Sequence, residues 1–165
     1  MISRLGSFLL LVVLCGGATF LTGCTARLLL YPVSGPVASQ TPPPIFRGKI
    51  TIGAKNRSGD FIATMANGET FQGRWRLTSA GPIDTSSPTD LGISWDAVYG
   101  PGYYVSHVLG VRQCMETTTT GSRATQLHLK ICGDERGVAK DNAGNLYKVV
   151  FSVRGRNSDN LPTGL

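Results

Sequence analysis

Alternation of apolar and polar residues with a period of two is the strongest constraint on the fold, and it begins at Phe46. The clearest run is 71–77, where apolar residues such as Trp75 alternate with Gln72, Arg74 and Arg76. Successive side chains of a strand point to opposite faces, so this pattern is typical of a sheet with one solvated face. Further alternating runs separated by turn signals predict an antiparallel meander.

The content of glycine and proline argues against a helical bundle. The chain has 165 residues, of which 21 are Gly and 9 are Pro, and both residue types weaken helix interiors. We predict one all-β domain, a small antiparallel sheet or barrel-like meander of about seven to eight strands. A long loop with one helical turn near 90–96 interrupts the meander. After 46–54, the predicted strands are 61–65, 71–77, 103–112, 114–118, 126–131, 137–140 and 146–153.

Residues 1–23 have the organisation of a signal peptide. Arg4 makes the start positive, and an apolar segment follows at 5–14. A membrane-spanning helix needs roughly 20 apolar residues, and glycines interrupt this stretch before that length is reached. We therefore expect a cleaved leader rather than a permanent helical anchor.

Leu21-Thr22-Gly23-Cys24 closes this segment and resembles the lipobox of bacterial lipoproteins. The resemblance implies that a diacylglyceryl group is attached to Cys24, that cleavage occurs before it, and that the new amine is acylated, for example with palmitate. Thr25 stands where many inner-membrane lipoproteins have Asp, which implies the periplasmic leaflet of the outer membrane. An ordinary secretory cleavage near Ala18 is the alternative.

The remaining chain divides into a tether, a domain and a tail. Residues 24–45 contain five prolines, so we expect a lipidated Cys and an extended Pro-rich tether there. The β domain is expected over 46–156 and a loose tail over 157–165. This layout resembles that of small proteobacterial outer-membrane lipoproteins, and no activity comes with the resemblance.

One segment of the domain occurs twice. Residues 63–75 align without gaps with 139–151, and both copies place an aromatic residue after Gly68 or Gly144. We interpret this as one hairpin type used twice, with Gly at the positive-φ turn position. The first copy also resembles part of a MORN repeat, but an array needs more copies than two.

Two cysteines remain in the domain, Cys114 and Cys132. An exported protein most simply pairs such thiols, and both fall on the outer face of predicted strands. The rival is a metal site that adds His107 and His128, which lacks the short ligand spacing of known sites. The sequence 141–145 superficially resembles a calcium loop, and a type I turn starting at Asp141 is the simpler interpretation.

Two functional classes stay open. We expect a structural or binding module that requires no cofactor or metal, and the alternative is a periplasmic hydrolase using Ser94, Asp96 and His107. The net charge is +6, and the basic residues on outward strand faces are a candidate anionic-ligand face. The plainer interpretation of that face is ordinary solvation. Expected partners are the membrane, through the lipid, and envelope proteins or anionic polymers, but not nucleic acid. The face comprises Arg74, Arg76, Lys130, Lys148 and Arg154.

Overall fold

The computed structural model describes residues 24–53, 57–78, 92–133 and 136–153. Eight antiparallel strands follow one another around a closed barrel, and β8 pairs back onto β1. This confirms the all-β prediction. The strands are β1 Cys24–Ser34, β2 Phe46–Ile52, β3 Ser58–Thr64, β4 Thr70–Thr78, β5 Cys114–Thr120, β6 Gln126–Cys132, β7 Arg136–Asp141 and β8 Leu146–Val153.

The apolar and polar residues that alternate in the sequence lie on the inner and outer faces of the barrel wall. Along β4, Phe71 and Trp75 are buried, and Arg74 and Arg76 are exposed. The inward residues form one apolar cluster inside the barrel, which explains why strand after strand keeps the same period. Its largest members are Phe46, Phe61, Phe71, Trp75, Tyr147, Leu28, Leu30, Ile50, Leu127 and Leu129.

The prediction of a tether is wrong for residues 24–34. They form β1, which pairs with β2 from Cys24↔Ile52 to Leu30↔Phe46 and pairs with β8 along its other edge. The physical reason is that Ala26, Leu28 and Leu30 recur at every second position and supply the inward face that closes the barrel. Pro32 is tolerated because the register with β8 shifts directly after it. Only residues 35–45 connect β1 to β2.

The connection from β4 to β5 carries the helical part of the described chain. Helix α1, Gly92–Tyr99, lies against β7 and β8, and a π-helical segment, Tyr104–Val108, follows it. The prediction of a strand over 103–112 is therefore wrong. Tyr104 and Val108 are buried and Ser106 between them is exposed, which is helical spacing, because a strand would turn all three side chains to one face.

α1 and the π-helical segment, together the cap, cover a second apolar cluster on the outside of the barrel wall. Val138 points outward from β7, and Trp95, Tyr104 and Val108 pack over it together with the two domain cysteines. The fold thus has one core inside the barrel and a smaller one between wall and cap.

Three hairpins at one end of the barrel share the same turn. In 65–69, 121–125 and 141–145, the fourth N–H donates to the first carbonyl, and the first N–H donates to the fifth carbonyl. Gly68 and Gly144 occupy the fourth position with φ of 79° and 84°, which confirms the hairpin predicted from the repeat. Ala124 occupies the same position in the third turn with φ of 67°.

Candidate functional site on the outer wall of the barrel

The interior of the barrel is occupied by the protein's own side chains. Phe61, Phe71 and Tyr147 are fully buried, and Trp75 is nearly so, with its indole N–H donating to the carbonyl of Thr51 at 2.8 Å. An eight-stranded barrel has an interior just wide enough for such side chains. The candidate sites therefore lie on the outer wall.

The predicted basic face is distributed around the barrel rather than gathered at one place. Arg76 lies opposite Glu116 of β5, and Glu116 lies opposite Lys130 of β6. Lys148 of β8 lies opposite Val138 of β7, and the cap covers Val138. Arg154 falls outside the described residues. The register therefore places an acidic residue and a covered apolar residue between the cations.

Arg74 and Arg76 instead line a cleft at the seam between β4 and β5. Direct pairing of these strands covers Arg76–Thr78 with 114–116. Farther along, the hydroxyl of Thr117 donates to the carbonyl of Arg74 at 3.0 Å, and that of Thr119 donates to the carbonyl of Gln72 at 2.7 Å. The open cleft that results has a volume of about 290 Å³ and is lined by Arg74, Arg76, Glu116, Thr117 and Thr118.

The chemistry of this cleft is that of a mixed-charge surface. Two guanidinium groups suit carboxylate or phosphate, which they bind through paired N–H donors. Glu116 limits that positive charge, and its Oε2 accepts a hydrogen bond from the hydroxyl of Thr78 at 2.9 Å. The cleft can therefore hold a group that carries both an anion and a hydrogen-bond donor.

Parallel aromatic rings build the cap. The ring of Tyr103 stacks on Tyr99 at 4.6 Å and on His107 at 4.4 Å, and Trp95 lies 5.7 Å from Tyr99. Lys148 places its Nζ 5.6 Å from the centre of the Tyr99 ring. Burial raises the pKa of Tyr99 to about 12, and its hydroxyl donates to the carbonyl of Gly137 at 3.0 Å. Lys148 therefore contacts the cap, which attaches to the wall through these groups.

The three residues of the hydrolase alternative all lie in the cap, where each has a different environment. Ser94 is buried, and Asp96 accepts a hydrogen bond from the backbone N–H of Tyr104 at 2.8 Å. His107 is exposed, and its ring stacks on Tyr103. No hydrogen bond within the described part of the chain joins any two of the three. Asp96 thus fixes the start of the π-helical segment.

Cys114 and Cys132 form a disulfide, as predicted. They lie directly opposite each other on β5 and β6, with Cα atoms 4.3 Å apart. The cap buries the bond, although both residues are on the outward side of their strands. Pairing removes both thiols from the metal alternative, and His128 contacts the hydroxyl of Thr118 through Nδ1 at 2.9 Å. Among the residues that the structure describes, no cluster of metal-ligating side chains occurs.

A buried polar network at the turn end was not predicted. The carboxylate of Asp141 accepts hydrogen bonds from the N–H groups of Ala143 and Asn145, from the Asn145 amide and from the Tyr147 hydroxyl at 2.8–3.0 Å. Asn145 in turn accepts from the N–H of Val37 at 2.8 Å. These bonds confirm the turn starting at Asp141 and show that its carboxylate joins the turn to Tyr147. The spacing of Asp, Gly, Asn and Tyr in 141–147 is the sequence feature from which this network could have been predicted.

A second basic surface was missed because its first residue was assigned to the tether. Arg27 on β1 lies opposite Lys49 on β2. Two residues farther along the same face, Leu29 lies opposite Arg47. Arg27, Arg47 and Lys49 are exposed. No ion pair of theirs occurs within the described ranges. Only the pairing of β1 with β2 brings Arg27 beside Lys49.

Comparisons with protein-family models, curated proteins and solved structures found no match for this chain. In the ranges that the structure describes, no helix combines the length and the apolar character needed to cross a bilayer.

Proposed function

We propose that this protein is a lipid-anchored module of the bacterial cell envelope that faces the periplasm. The observation that carries the proposal is Leu21-Thr22-Gly23-Cys24 directly after an apolar leader. Acylation of Cys24 replaces a spanning helix as the anchor, since several acyl chains together hold a protein at a membrane far more firmly than one chain does. Thr25 favours the outer membrane as the destination.

The proposed role is structural or binding, exercised through the outer wall. The filled interior supports this, since Tyr147, Phe61 and Phe71 occupy the space that a ligand-holding barrel leaves open. The disulfide also suits an extracytoplasmic protein, where such bonds persist. The partners proposed for the outer wall are envelope proteins or anionic envelope polymers, and the cleft of Arg74 and Arg76 is a place for their anionic groups.

The proposal is tested by replacing the modified cysteine in the full-length chain. Cys24→Ala should release the protein from the membrane fraction, or leave an unprocessed precursor, and should abolish incorporation of a clickable palmitate analogue. Cys15→Ala, within the leader, is the matched control and should leave anchoring and labelling unchanged. Labelling of the Cys24→Ala protein equal to that of the control would refute the lipid anchor.

A further inference from the structure

The outward side of β1 and β2 presents three cations with nothing acidic among them. Arg27 and Lys49 are direct cross-strand partners, and Arg47 is diagonal to Arg27. Like charges placed opposite each other on a sheet repel, so this arrangement costs stability in the isolated protein. The other outward residues of the two strands are uncharged: Thr25, Leu29, Tyr31, Val33 and Thr51.

Apolar side chains accompany these cations. Leu29 is half-buried between Arg27 and Tyr31, and Ile62 of β3, opposite Lys49, is 42% exposed. The first carboxylate beyond them is that of Asp60, which lies opposite Arg74 and contacts the Thr51 hydroxyl at 3.3 Å. We call the surface of Arg27, Arg47, Lys49, Leu29 and Ile62 the basic wall.

The basic wall begins next to the proposed anchor. Arg27 follows Cys24 by three residues on the same strand, which corresponds to about 10 Å at the usual rise per residue. The strand starts at Cys24, so no spacer separates the acylated residue from the barrel. Acyl chains inserted in a leaflet would therefore hold the basic wall within reach of the headgroups, where electrostatic attraction acts over about 8 Å in physiological salt.

We propose that the basic wall docks on anionic phospholipid headgroups of the leaflet that holds the acyl chains of Cys24. This inference rests on the proposed lipid anchor and adds an orientation to it. The cations lose their mutual repulsion against a negative surface, and Leu29 and Ile62 meet its interface. Since β5 and β6 lie across an eight-stranded barrel from β1 and β2, the disulfide side faces away from the membrane.

The test is lysine footprinting of the lipidated protein in vesicles. The protein is reconstituted into vesicles of phosphatidylcholine with phosphatidylglycerol, or of phosphatidylcholine alone, and treated with a soluble amine-acylating reagent. We expect Lys49 to react about fivefold more slowly on the anionic vesicles, and high salt should remove the difference. Lys140, exposed on β7, is the internal control and should react equally on both. Equal rates for Lys49 on both vesicles would overturn the docking.

A pair of variants separates docking from anchoring. Arg27→Gln with Arg47→Gln removes two cations and keeps Lys49 as the reporter, so its protection should disappear. Arg112→Gln with Arg123→Gln removes the same charge from exposed positions next to β5 and β6 and should leave the protection intact; loss of protection in both variants would overturn the assignment to β1 and β2. If the wild-type protein leaves both kinds of vesicle on flotation, the anchor itself fails, and the docking fails with it. If it floats with both but Lys49 is unprotected, the docking alone fails.

Discussion

Ala124 holds a backbone conformation that L-residues other than Asn and Asp seldom adopt. Its φ of 67° is similar to those of Gly68 and Gly144, which occupy the same position in the turns 65–69 and 141–145. The left-handed conformation costs about 1–2 kcal/mol for a residue with a Cβ, and glycine avoids that cost. The turn forms nevertheless, because the paired strands β5 and β6 impose its length.

Ala124→Gly should therefore raise the free energy of unfolding by about 0.5–1 kcal/mol, because relief of strain exceeds the added flexibility of the unfolded chain. Urea denaturation of the two proteins measures the difference. Ala143→Gly is the matched control, because Ala143 lies in a sibling turn without a positive φ and should lose stability. A loss of stability in Ala124→Gly equal to that of the control would contradict the explanation.

Two tyrosines couple stability to alkaline pH. Burial, and then the hydrogen bond and charge of Asp141, raise the pKa of Tyr147 well above its usual range, and burial raises the pKa of Tyr99 to about 12. A phenol whose folded pKa is raised contributes stability that is complete below its unfolded pKa of about 10. That stability is lost as the pH rises through the folded pKa.

We therefore expect the free energy of unfolding to fall between pH values of about 10 and 12. Tyr99→Phe and Tyr147→Phe should each lessen this fall, and each should reduce the tyrosinate absorbance that develops late in an alkaline titration. Urea denaturation at successive pH values provides the first measurement. A free energy that stays constant over this range in the wild-type protein would contradict the assignment.

At the scale of elements, the sequence predicts strands whose alternation is regular. The run 71–77 lies within β4, and 146–153 coincides with β8. β1 was missed because Pro32 and the prolines after it hide the alternation of Ala26, Leu28 and Leu30. The segment 103–112 was assigned wrongly because its aromatic and β-branched residues favour strands, whereas its burial follows a helical spacing.

The disulfide links elements that the barrel already pairs. It closes a loop with a sequence separation of 18 residues, which in the chain-entropy model contributes about 3 kcal/mol to stability. Reductant should lower the urea midpoint of the wild-type protein accordingly. The double variant Cys114→Ala with Cys132→Ala should have a low midpoint that reductant does not change. A wild-type midpoint insensitive to complete reduction would contradict this contribution.

At the scale of the whole molecule, the pairing and register of the strands decide which residues meet. The outward positions of Arg74, Arg76 and Lys130 follow from alternation alone, which the sequence displays. Their neighbours do not, because Glu116 enters between Arg76 and Lys130 only through the register of β5. In the same way, Arg27 meets Lys49 only through the pairing of β1 with β2. Such contacts depend on long-range pairing, which a local pattern does not encode.

The position of β1 in the barrel also places the proposed anchor beside the folded domain. The residue proposed to carry lipid begins a barrel strand, so the proposed anchor would place the barrel directly at the membrane. Under the two proposals, the outer wall would have the basic wall near the acyl chains and the disulfide side across the barrel. Interaction with a second envelope component would use the side that remains open.

The most direct test is the mass of the peptide at the start of β1. Trypsin cleaves after Arg27, so membrane-purified protein should yield a peptide of residues 24–27 that begins at Cys24 and carries a diacylglyceryl thioether and an amide-linked acyl chain. A tryptic peptide that runs through Gly23 into Cys24, or a Cys24 thiol that alkylates freely, would contradict the account.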